Sequence, residues 1–133
     1  MIVLDTHALL WLDRDDSALG ETARQRIEVA WRTEGVAVSA ISFWEAAMLV
    51  DRGRIALPVD VHRWCSDLLM AGIKEIPVDG QIAVLAVSLQ GLHKDPADRL
   101  IIATAVVHRA ALVTADERIL AWPGKLDRQN ARA

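Results

Sequence analysis

The sequence predicts an α/β domain on a mostly parallel sheet of four to five strands, flanked by helices on both faces. Three observations lead there. Short apolar runs of strand length alternate along the chain with stretches of helical periodicity, the order of repeated strand–helix units. The runs are apolar throughout, as strands covered on both faces are. At 133 residues, 53% hydrophobic and 25% charged, the chain is long enough for one core and one domain, residues 1–133, and is far from the composition of a disordered segment.

The elements follow in order. Met1 to Leu4 reads as a buried strand, after which Asp5 or Thr6 caps a helix through Leu12. Arg14 to Ser17 is a turn. Gly20-Glu-Thr22 opens a second helix in which Ala23, Ile27, Ala30 and Trp31 recur at helical spacing, and Gly35 stops it. Val36 to Val38 is the second strand. Ser39 or Ser42 caps a helix carrying Glu45, Ala46, Leu49 and Val50 that ends near Gly53. Asp60 opens a further helix to about Ala71, with Val61, Trp64, Leu68 and Leu69 inward. Ile73 to Pro77 is a short strand, Gln81 to Leu89 a short helix, and Gly91 to Pro96 a loop. Ala97 to Arg109 is apolar almost all round and is expected at the centre. Ala111 to Val113 is the fourth strand, and Asp116 to Ala121 a helical turn or two. The last dozen residues, with Lys125, Arg128 and Arg132 against Asp127, read as a solvated, frayed end.

Composition excludes several classes. No apolar run approaches the roughly 18–20 residues that span a bilayer, and the four-residue apolar start has no basic flank of the signal-peptide kind. Cys65 is the one cysteine, so no internal disulfide forms, and the expected compartment is the reducing cytoplasm, with Cys65 as a buried apolar residue. A net charge of −3 excludes nucleic-acid binding by bulk electrostatics, so a phosphate-bearing substrate needs metal ions or a local basic rim.

Four acidic residues carry the chemistry. Asp5 ends the first strand, Glu45 lies one turn into the helix after the second, Asp98 is in the first turn of the central helix, and Asp116 follows the last strand. Each adjoins an apolar segment, where a carboxylate costs folding energy unless compensated. Helix capping is an innocent account of Asp98 and Asp116, whereas Glu45 between Trp44 and Ala46 has none. By topology at least three gather beyond the carboxyl ends of the strands, where ligands of such sheets collect. Converging carboxylates repel and need a counter-ion, and with no Cys or His cluster an all-oxygen site suits Mg²⁺ or Mn²⁺. One or two such ions would activate water against a phosphodiester. Asp5, Asp98 and Asp116 are the expected metal ligands, with Glu45 completing the catalytic group. Thr6 and Thr114 are candidates to orient Asp5 and Asp116 or a metal-bound water, or else are plain caps. Asp95 and Arg99 flank Asp98, Arg99 as a partner of Asp95 or of phosphate. The tryptophans read as core or interface residues.

Along nearly its whole length the chain resembles the PIN-domain family, in particular its VapC-type toxins. The resemblance lies in Ile2-Val-Leu-Asp-Thr-His-Ala8, Ser39-Ala-Ile-Ser-Phe-Trp-Glu45, His93-Lys-Asp-Pro-Ala-Asp-Arg-Leu-Ile-Ile-Ala103 and Leu112-Val-Thr-Ala-Asp-Glu-Arg-Ile-Leu120. Ala97 departs from it, standing where the family often has a bulky aromatic. The resemblance implies that Asp5, Glu45, Asp98 and Asp116 are an acidic metal-binding quartet and that Asp95 is structural. It further implies a Mg²⁺- or Mn²⁺-dependent ribonuclease acting on RNA, a homodimer, and a cognate antitoxin that inserts a segment into the active-site groove. Rival readings are a domain that only sequesters RNA and a flap-type DNA nuclease.

Overall fold

Ile2–Leu4 is a run of β-favouring apolar residues with no polar face, and it occupies the centre of a five-stranded sheet as β1. The computed structural model describes all residues, Met1–Ala133. Around β1 lie β2 (Val36–Ser39), β3 (Lys74–Ile76), β4 (Ala111–Thr114) and β5 (Arg128–Asn130), in the order β3-β2-β1-β4-β5 and all parallel. Leu4 is in register with Val38 and Val113, so the strands end together and their carboxyl edge is level.

Seven helices complete the chain: α1 (Thr6–Asp13), α2 (Glu21–Arg32), α3 (Ala40–Asp51), α4 (Val61–Ala71), α5 (Gly80–Ser88), α6 (Pro96–Val107) and α7 (Glu117–Leu120). Alternation along the strands sorts them into two layers. Ile2, Leu4, Val36, Val38 and Val113 face α1, α2 and α4 through Leu9, Ile27 and Trp64, and Val3, Ala37 and Leu112 face α5 and α6 through Ile82, Ile101 and Ile102. The central position expected of the 97–109 helix holds, since six consecutive or near-consecutive residues of α6 from Ala97 to Ala105 are buried. No helix is long and apolar enough to cross a membrane.

The structure corrects the sequence reading in three places. The C-terminal stretch is not frayed. Its Arg128–Asn130 pairs with β4, and Ala131 is fully buried. Arg128 holds this edge by donating to the carbonyls of Ile119, Leu120, Trp122, Gly124 and Leu126. Leu69, assigned inward by spacing, is 39% exposed, and Cys65 is only half-buried; Trp31, read as a core or interface residue, is 44% exposed. Both helices present more apolar residues than their contact with the sheet covers.

Candidate active site

The level carboxyl edge puts the side chains that follow β1, β2 and β4 into one cleft of about 310 Å³ with the first turn of α6. Asp5, Glu45, Asp98 and Asp116 all line it, joined by Asp95 and Thr6. The capping argument accounts for two of them. Asp5 caps α1 by accepting from the Ala8 amide at 2.8 Å, and Asp116 caps α7 by accepting from the Arg118 and Ile119 amides. Asp98 has no such role, because the cap of α6 is Asp95, which accepts from the amides of Ala97 and Asp98. Glu45, inside α3, has none either.

The inner half of the cleft is a network of carboxylates and hydroxyls. Asp5 is buried, and its second oxygen accepts from the Thr114 hydroxyl, which in turn accepts from the Asp116 amide. The hydroxyl of Thr6 donates to Glu45 Oε1 at 2.6 Å and lies 3.0 Å from Ser42 Oγ. No Lys or Arg pairs with Asp5 or Glu45. Burial pushes the Asp5 carboxyl above its usual range despite the Thr114 and Ala8 hydrogen bonds. Burial does the same to Glu45, against the Thr6 hydrogen bond and with the charges of Asp98 and Asp95 adding to it.

The outer half has cationic or ionisable partners. His93 Nε2 stands 2.7 Å from Asp98 Oδ2, and Arg118 Nη2 stands 3.1 Å from Asp116 Oδ2 and 3.8 Å from Asp98 Oδ2. Burial raises the Asp98 carboxyl, with His93 opposing and Asp95 and Asp116 reinforcing. Burial also acts to raise Asp116, but the hydrogen bonds and charge of Arg118 outweigh it and hold that carboxyl below its ordinary value.

The donors facing the cleft suit a hard divalent cation. They are oxygens, and those of Asp5 and Glu45 have no neutralising partner of their own. His93, Asp98 and Asp116 place one ligand atom each within 4.8 Å of one another. His93 is nonetheless better described as the holder of Asp98, since Nε2 is engaged there and Nδ1 is buried without a partner.

Among the sequence candidates, Thr6 and Thr114 do bond to acids of the cleft, but to other ones than expected: Thr6 donates to Glu45 rather than Asp5, and Thr114 donates to Asp5 while accepting from the Asp116 amide. Arg99 does neither thing expected of it. It turns away from the cleft and donates to the carbonyls of Ala86, Leu89, Leu92 and His93, fastening the loop that carries His93 to α6. The sequence reading gave no role in the cleft to Ser42, Arg118, Arg132, His7 or Trp11, of which the last four line it. The position of Arg118 two residues past Asp116 was the one available signal.

Known proteins share this chain's sequence pattern and fold. Residues 2–124 match the PIN domain family model. Ribonuclease VapC22 of Mycobacterium tuberculosis (strain ATCC 25618 / H37Rv) is 37% identical over 119 residues, 89% of this chain and 88% of that protein. The fold recurs in VapBC2 from Rickettsia felis bound to a DNA fragment from its promoter, with a TM-score of 0.73 at 19% identity over 98% of both chains. It recurs in a toxin–antitoxin complex from Klebsiella pneumoniae, with a TM-score of 0.66 at 23% identity, again over 98% of both chains.

Proposed function

Because the chain belongs to the PIN domain family, we propose that its acidic cleft is the active centre of a divalent-metal-dependent endoribonuclease and that the protein is the toxin of a toxin–antitoxin pair. The observation that carries the reading is the convergence of Asp5, Glu45, Asp98 and Asp116 on one cleft, with no Lys or Arg paired to Asp5 or Glu45. Asp5, Asp98 and Asp116 would hold Mg²⁺ or Mn²⁺. When bound, the ion supplies Lewis-acid chemistry, acidifying a water and neutralising phosphate charge.

The remaining work falls to the chain. Thr114 and the Ala8 amide fix both oxygens of Asp5, and His93 fixes Asp98, so each points into the cleft before any ligand arrives. Glu45, kept above the ordinary carboxyl range by burial and held by Thr6, takes the proton released as water attacks the phosphodiester. In-line hydrolysis of this kind leaves a 3′-hydroxyl and a 5′-phosphate.

The antitoxin is proposed from the toxin–antitoxin complexes among the structural neighbours and from this chain's own surface. Val29, Trp31, Leu69 and Met70 on α2 and α4, with Trp44, Val84 and Val87 elsewhere, are large apolar residues left exposed. An antitoxin helix or a second copy of the chain covers them.

Incubating mixed RNA with the purified, antitoxin-free protein tests the reading, with Mg²⁺, Mn²⁺ or EDTA and beside Asp5→Asn. Cleavage that needs metal and vanishes in the variant is expected. Cleavage that survives both EDTA and the substitution refutes it.

A further inference from the structure

An acidic cleft repels the backbone of its own substrate unless cations stand beside it, and two do. Arg118 is already engaged by Asp116 and Asp98. Arg132 is not. It lines the same cleft, its side chain makes no ion pair or hydrogen bond, and its guanidinium carbon lies 5.1 Å from the centroid of the Trp11 ring. The His7 ring meets Trp11 edge-on, with centroids 6.4 Å apart and planes at 63°. All three residues line the wall of the cleft on the α1 side.

We propose that Trp11, Arg132 and His7 form a subsite for an unpaired RNA nucleotide adjacent to the scissile phosphate, its base stacked on the flat Trp11–Arg132 pair and its phosphate met by Arg132 and the exposed His7. The assignment rests on reading the cleft as a ribonuclease centre and adds a preference for single-stranded or looped RNA. Bases locked in a duplex have no free face to offer such a platform, whereas unpaired bases stack on aromatic rings and guanidinium planes.

The bland account of Trp11 is that it closes the core over Leu9 and that Arg132 lies on it by chance. Two observations favour a binding role. Trp64 and Trp122, the buried tryptophans, each satisfy the indole N–H, on Asp13 and on the Gln90 carbonyl. Trp11, at half-burial, leaves its own without a protein partner at the edge of the cleft. The placement of Arg132 is also built. The Ala131 amide donates to the Thr114 carbonyl at 2.8 Å, the Ala131 carbonyl accepts from the Gly20 amide at 2.8 Å, and the Arg132 amide is tied to Asn130 Oδ1 at 2.9 Å. Gly20 has to be glycine for this approach, since a Cβ there would lie 2.0 Å from the Ala133 carbonyl oxygen. Thr114, whose hydroxyl orients Asp5, therefore also anchors through its carbonyl the segment that presents Arg132.

Binding decides the matter independently of cleavage. A fluorescent single-stranded RNA of mixed sequence, a blunt RNA duplex and the Asp5→Asn full chain with Mn²⁺ serve as the binding assay, and kcat and KM are measured on the active chain. Trp11→Ala and Arg132→Ala are each expected to weaken single-strand binding by about 10-fold or more and to raise KM correspondingly, the scale of one lost base stack. Trp11→Phe restores most of it, and duplex binding does not change. Arg132 is exposed, so its variant keeps the fold even if Trp11→Ala does not. Unchanged single-strand binding in Arg132→Ala and Trp11→Phe/Arg132→Ala chains, or an equal loss on duplex, overturns the subsite. Cleavage that ignores metal and Asp5→Asn instead overturns the ribonuclease reading, whichever way the binding falls.

Discussion

The two halves of the cleft solve the same electrostatic problem differently. Asp5 and Glu45, on the sheet side, are held by hydroxyls and an amide and have no Lys or Arg partner. Asp98 and Asp116, on the outer side, have His93 and Arg118. Hydroxyls orient a carboxylate without neutralising it, so the inner pair is fixed in place and still short of charge. The outer pair is provisionally satisfied and has to exchange part of that satisfaction for a ligand. Rigid geometry and unmet charge together are what a cation site requires in advance.

The largest effects belong to the inner half. Asp5→Asn is expected to lower cleavage roughly 10³-fold, the scale of several kcal/mol of lost charge stabilisation. The same variant is expected to be more stable than the metal-free parent at neutral pH. The folded-state pKa of Asp5 is raised, so the native chain binds this proton more readily than the unfolded chain does. Ionisation then penalises the fold. The penalty is absent below the unfolded value of about 3.9, grows as pH rises through the window up to the folded value, and is complete above it. The gap in melting temperature between variant and parent should therefore widen with rising pH and close when Mn²⁺ is added to the parent. A gap that is constant in pH would show that the Asp5 charge is neutralised by something in the protein.

His93→Ala carries the comparison to the outer half. It removes the 2.7 Å partner of Asp98 while leaving all four acids in place. Loss of a group that orients a metal-binding carboxylate costs about 10- to 100-fold in metal affinity or activity. Mn²⁺ titration by calorimetry checks it, and affinity within twofold of the parent would make His93 merely a loop residue. Thr6→Val tests the hydroxyl strategy on Glu45. The Thr6 hydrogen bond lowers a carboxyl that burial raises, so its removal raises Glu45 further and moves the acidic limb of the pH–rate profile to higher pH. The accompanying fall in rate is expected to be about 10-fold, the worth of a hydrogen bond to a charged group. A limb that stays in place would take Glu45 out of the proton transfer.

How far the sequence disclosed these halves depends on the range of the interactions. The four acids were visible because each breaks an apolar context, and their meeting on one edge follows from strand–helix alternation. That the sheet is mostly parallel was visible for the same reason, although the strand order was not. What stayed hidden depends on contacts that local pattern does not encode. β5 is Arg-Gln-Asn, with no apolar alternation, and stands because Arg128 satisfies five carbonyls and Ala131 fills the core. Arg99 sits beside Asp98 in sequence yet leaves the cleft, because the 86–93 segment offers four unpaired carbonyls on the other side of α6. His93, just before the Asp95 loop, was within reach of the site by sequence, and the turn of that segment sets it on Asp98. The Trp11–Arg132 contact joins residues 11 and 132 through the β4–β5 pairing.

The smallest effect sharpens the comparison most, because its sign separates two roles for Arg118. The guanidinium lies across Asp116 and Asp98 at 3.1 and 3.8 Å and is well exposed. If it is a stand-in for the cation, Arg118→Ala removes a repelling charge and tightens Mn²⁺ binding at pH 7 by about fivefold, the scale of one unit charge roughly 4 Å away in water. The gain should shrink in 0.5 M salt, as exposed charges are screened. It should shrink too as pH falls, because Asp116 without Arg118 loses what holds its carboxyl low, and protons then compete with the metal at a higher pH than in the parent. If Arg118 instead orders Asp116 for the metal, the same substitution weakens Mn²⁺ binding at pH 7. In that case the outer half is as preorganised as the inner one, and the contrast between them reduces to burial alone.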